Sequence, residues 1–97
     1  MYLLLCTAES DRDDPQFGRG ARHAFLVFLS ESNEQRAILR ASEELSLRGW
    51  RELIVQKSKV ISDQVLSTDD EKVKGAFLDA QSSGIGILLY ENPIEPN

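Results

Sequence analysis

Every strand-like segment of this chain is apolar on both sides, and that constrains the fold more than any other feature. In a strand, successive side chains point to opposite faces, so a sheet with one solvated face reads as an alternation of apolar and polar residues. No such alternation occurs here. In the first segment, Tyr2 to Ala8, Leu3 and Leu5 oppose Leu4 and Cys6. In the second, His23 to Leu29, Leu26 and Phe28 oppose Phe25, Val27 and Leu29. In the last, "IGILLYE", Ile85, Ile87 and Leu89 oppose Leu88 and Tyr90. Both faces of the resulting sheet need a cover.

The helices come from a different period. Ala37, Ile38, Ala41 and Leu45 recur at helical spacing between Ser30 and Arg48, with Ser30 or Ser32 as cap and Gly49 placed for a left-handed stop. Thr68 and Glu71 form a capping box, and Val73, Ala76, Phe77 and Ala80 give the second helix its buried stripe up to Ser82, Ser83 and Gly84. Between the helices, "WRELIVQKSKVI" reads as one long strand over about 51–61, with a bulge or a split where Lys57 and Lys59 break the apolar run.

The order is therefore ββαβαβ. It predicts an α+β fold: a two-layer αβ sandwich, ferredoxin-like or a close variant, with a mixed four- or five-stranded sheet and two helices on one face. Residues 1–92 form a single domain on this reading, with 9–22 as a long charged loop and 93–97 as a frayed tail; 97 residues leave little room for a second module. Two helices on one face leave the other bare. The economical cover is a second copy of the chain, since two-fold dimers are the commonest soluble assembly and a large bare apolar patch is unusual on a monomer. A heterologous protein partner, or the chain's own acidic loop or tail, are the other covers.

Charge narrows the partners. With 16 acidic and 11 basic residues the formal charge is −5, which works against a binder of phosphate backbones, so nucleic acid is not expected as a partner. The apolar start "MYLLLCTAES" is too short for a membrane span, no membrane partner is expected, and a lone cysteine suits the cytoplasm.

Chemistry is thinly represented. Glu9, Asp11, Asp13 and Asp14 crowd the front of the charged loop, and clustered carboxylates suit hard cations. An EF-hand loop begun at Asp11 fails, however, because Gln16 and Arg22 stand where glycine and glutamate belong, and Arg12, Arg19 and Arg22 can neutralise the carboxylates. Asp11, Asp13 and Asp14 stay weak metal candidates, and no cofactor is expected. "FGRG", Phe17 to Gly20, precedes a strand rather than a helix and so is not a phosphate loop. "GIG", Gly84 to Gly86, joins a helix stop to a strand whose second glycine permits close backbone approach.

Three residues are candidates for catalysis. If Ala8 pairs with His23, then Cys6 pairs with Phe25 and lies diagonal to His23 on one face, a possible thiol and imidazole pair. A buried hydrophobic cysteine is the simpler reading. His23 could otherwise act with Asp13, Asp14 or Asp63, or share a pocket with Arg22 and one loop carboxylate. Phe25, Val27, Trp50, Tyr90 and Arg19 are candidates for binding, since aromatic and arginine side chains anchor protein contacts. These observations favour a small non-enzymatic protein that works by association, most simply as a homodimer. The alternative is a small dimeric enzyme or ligand-binding domain with a pocket near His23 and Arg22.

Overall fold

The computed structural model describes residues 1–11, 18–62, 69–90 and 94. In chain order the elements are β1 (Tyr2–Ser10), β2 (Arg22–Leu29), α1 (Glu34–Leu47), β3 (Trp50–Val60), α2 (Glu71–Ser83) and β4 (Ile85–Leu89). The class is α+β, with one four-stranded sheet and two helices among the described residues.

The sheet order is β3-β1-β2-β4, and every neighbouring pair is antiparallel. Two expectations change here. The sheet is not mixed, and its order does not confirm the ferredoxin-like arrangement. The cause is that β1 and β2 pair as a central hairpin and leave β3 and β4 to add at the two edges.

Register decides which side each residue takes. β1 pairs with β2 so that Leu4 meets Val27, Cys6 meets Phe25 and Ala8 meets His23. Leu4, Cys6, Ala8, Phe25 and Val27 pack against Ala37, Ala41 and Leu45 of α1, and Trp50 closes the same cluster. Leu3 and Phe28, the next pair along, belong to the opposite face, where they pack with Ala76, Phe77 and Ala80 of α2. The helices therefore lie on opposite faces, which corrects the expectation that both share one. α1 and the sheet form a two-layer sandwich, and α2 lies on the far side over β2 and β4. The double-sided strands explain this placement: each helix takes one of the two apolar faces.

The caps differ from the expected ones in detail. Asn33, rather than Ser30 or Ser32, caps α1 by accepting from the Arg36 amide at 2.9 Å. Asp70 caps α2 and accepts from the amides of Lys72 and Val73 at 2.9 and 3.2 Å, while Thr68 lies outside the described residues. Both serve because a short side-chain oxygen can reach the unpaired amides of a first turn. Gly49 and Gly84 end the two helices with φ of 89° and 95°. At the second stop, Arg40 of α1 donates to the Ser83 carbonyl at 3.2 Å and so ties the helices together around the end of the sheet.

β3 is a single strand, but an irregular one. While β1 advances from Thr7 to Glu9, β3 runs from Ile54 to Arg51, and while β1 advances from Leu5 to Cys6, β3 runs from Lys57 to Val55. Each time β3 carries one extra residue, which is a bulge. Glu52, in the first bulge, has φ of 53°, a left-handed conformation that costs an L side chain on the order of 1 kcal/mol. Glu52→Gly is therefore expected to be about 1 kcal/mol more stable than Glu52→Ala in urea denaturation. Both variants lose the same carboxylate, so the difference isolates the backbone; an alanine variant equal to or better than the glycine one would contradict the strain.

Candidate functional site

Two hollows and a charged rim on the described surface bear on function. On the α2 face, Leu3, Leu5 and Leu26 floor an open groove of about 380 Å³ that is also lined by Lys57, Ser58 and Lys59 of the edge strand. Lys57 pairs with Leu5 and Lys59 with Leu3, so both lysines belong to the α2 face. Ile54 pairs with Thr7 on that face and is 53% exposed. Among the described residues, α2 packs mainly on β4 and β2 and reaches Leu3 of β1, and the groove lies beside it across Leu3, Leu5, Leu26 and the β3 edge.

The charged rim continues that face toward the far end of β1. Arg22 donates through one nitrogen to the Thr7 hydroxyl at 2.8 Å and through another to the Glu52 carbonyl at 3.0 Å. Arg51 lies 3.5 Å from the Glu9 carboxylate and 3.3 Å from that of Asp11. The Glu9 carboxyl is held below the usual carboxylate range, first by its hydrogen bond with the Glu52 side chain and then by Arg51. Arg51 is shifted upward mainly by its hydrogen bond to Glu9. These exposed pairs neutralise one another and organise the rim rather than stabilise it strongly.

The second hollow, about 190 Å³, lies on the α1 face and is lined by residues that include Ala8, Leu45, Leu53, Trp50 and the hydroxyl-bearing Ser42 and Ser46. His23 is close by without lining it. Its ring is fully buried, meets Trp50 edge-on at 5.3 Å and bonds the Tyr90 carbonyl through Nδ1 at 2.9 Å. Phe25 completes the aromatic cluster, 4.8 Å from Trp50.

The structure divides the expected site residues. Cys6 and His23 do share a face in the register that would make them diagonal. Cys6, however, is completely buried and in contact with the Phe25 carbonyl at 3.9 Å, and burial pushes its thiol up to about 12. Such a thiol is a packed hydrophobe, not a nucleophile. Arg22 and His23 are neighbours in one strand and point to opposite faces, so the pair does not converge on a common ligand. Phe25 and Val27 are buried under α1, Trp50 is nearly so, and Tyr90 and Arg19 are exposed. Asp11 is paired with Arg51, while Asp13, Asp14, Arg12 and Asp63 lie outside the described residues. No group of three or more metal-ligating side chains occurs among the described residues, and no described helix is long and apolar enough to cross a membrane.

Leu5, Leu26, Lys57 and Lys59, which line the groove, and Ile54 beside it were not singled out as site residues from the sequence. The available signal was the alternation of Lys57 and Lys59 with Ser58 and Val60 at the end of an otherwise apolar strand. No protein-family model, curated protein or solved structure matches this chain.

Proposed function

We propose that the protein acts by association rather than catalysis, as a homodimer joined through the α2 face of its sheet. One observation carries this: Leu3, Leu5 and Leu26 floor an open apolar groove on that face, bordered by the β3 edge, with the exposed Ile54 beside it. Burial of such a surface is favourable by roughly 25 cal/mol per Å² removed from water, less the entropy cost of association. The chain meets part of the need for a second cover with α2. The dimer supplies the rest.

A face is a better joint here than an edge. Continuous pairing through β3 would require a regular strand, whereas this one has two bulges and carries Lys57 and Lys59, both devices that discourage edge pairing. A reducing compartment such as the cytoplasm suits a chain whose one cysteine is a buried free thiol. The enzyme or ligand-binding alternative has less behind it, because neither His23 nor Arg22 lines either hollow described above.

Light scattering over a concentration series tests the reading. The expected mass is twice that of the chain, falling toward one chain on dilution. Ile54→Glu, at an exposed position that tolerates charge in the monomer, is expected to raise the dissociation constant at least ten-fold. A single-chain mass at every concentration would overturn the homodimer.

A further inference from the structure

We propose that the dimer is a helix exchange: the α2 of each copy lies in the groove of the other, with the two-fold axis running along the strand direction. This rests on the association reading above and specifies how the two copies meet.

The uneven cover of the α2 face leads to it. α2 stands one helix diameter, about 10–12 Å, above β4 and β2 and touches β1 at Leu3, while the side toward β3 lies open beside it as the groove. Two copies joined through this face have a two-fold axis in the plane between their sheets. If that axis runs across the strands, it sets like half on like half. Helix then meets helix, and the two grooves face each other across two helix diameters with nothing to fill them. If the axis runs along the strands, it sets β3 of one copy over β4 of the other. Each raised helix then stands over an open groove, and both are filled at once.

The surfaces brought together match in charge and polarity. Lys57 and Lys59 border the groove and have no ion pair among the described residues. The surface of α2 turned away from its own sheet carries Glu71 and Asp79, and Asp69 and Asp70 precede its first turn. Lys72 and Lys74 offset these only in part: Lys74 pairs with Glu71 at 3.8 Å and Asp70 caps the first turn, so Asp69 and Asp79 carry the acidic excess. Leu78 lies on the same outward surface, 50% exposed, because it is one residue from the buried Phe77 and two from the buried Ala76 and Ala80. In the exchanged arrangement Leu78 meets Leu5 and Leu26, while the helix acids meet the lysine rim. Opposite charges at the border favour this pairing, and stacking lysine rim on lysine rim opposes the other.

Site-directed cross-linking decides between the two axes. Chains carrying Lys57→Cys and chains carrying Leu78→Cys are unfolded together, refolded as a mixture and treated with a short bismaleimide. Cys6 is buried and does not compete. Each chain has one surface thiol, so any covalent dimer reports a contact between copies. The expected product joins the two variants at least ten-fold more abundantly than it joins Lys57→Cys to itself. A dimeric mass by light scattering with only like-to-like products, or none, would overturn the exchange while sparing the dimer. A monomeric mass would overturn the dimer and the exchange together. In parallel, Leu78→Asp is expected to raise the dissociation constant at least ten-fold with an unchanged circular dichroism spectrum; an unchanged constant would count against the exchange.

Discussion

Gly86→Ala is expected to cost at least about 3 kcal/mol of folding stability, a large share of what a small domain possesses. Gly86 is buried opposite Phe28 on the α2 face, and an added Cβ would overlap the carbonyl oxygen of Ala76. That oxygen belongs to helix backbone and cannot rotate aside, so α2 must lift off β4. Two other glycines calibrate the result. At Gly84 the Cβ would come within 2.7 Å of the Arg40 guanidinium, a flexible group, and φ is 95°, so alanine there costs less, on the order of 1–2 kcal/mol. At Gly75, mid-helix, nothing lies within 4 Å, and alanine is expected to stabilise by roughly 1 kcal/mol. Urea denaturation of the three variants at equal chain concentration gives the comparison. A loss below 1 kcal/mol at position 86 would mean that α2 does not sit on β4 as closely as described.

Cys6 is expected to react with an aromatic disulfide reagent at pH 8 about a thousand-fold more slowly than a free thiol, and at the free rate once the chain is unfolded. With its thiol pushed up from 9.0 to about 12 by burial, the reactive thiolate is almost absent in the fold. The same shift makes stability depend on alkaline pH. The folded value lies above the unfolded one, so the contribution of the neutral thiol is complete below pH 9 and is lost as pH rises toward 12, to a ceiling of about 4 kcal/mol. Rapid labelling of the native protein at pH 8 would refute both the burial and the pH dependence, and would reopen the thiol and imidazole pairing with His23.

Much of the fold was legible because local periodicities are strong. Two β-rich runs, two helices, the long third strand and the glycine stops at 49 and 84 all follow from spacing and composition; the break at Lys57 allowed a bulge or a split and coincides with one of two bulges, while the one at Glu52 had no such signal. The strand order and the side taken by each helix are nonlocal. Apolar residues on both faces state that both faces need cover, yet they do not say whether α2 or another molecule provides it. The site was less legible for a related reason. Phe25, Val27 and Trp50 have the composition of contact residues but lie under α1, whereas Leu5 and Leu26 look like core and line an open groove. Arg22 and His23 are adjacent in sequence, and the pleat of β2 sends them to opposite faces.

The central place of β1 and β2 has a consequence for how the chain acquires its shape during synthesis. The two strands that form the middle of the sheet precede β3 and β4 in the chain, so they are synthesised before them and pair with each other at a short sequence separation, with little chain entropy lost in doing so. β3 and β4 then meet finished edges, each arriving with the helix that precedes it. The longest closure between strands, Phe25 against Leu89, is made onto a strand already held in place. Growth outward from a preformed centre shortens the time for which the most apolar segments stand unpaired, the interval in which nascent chains aggregate.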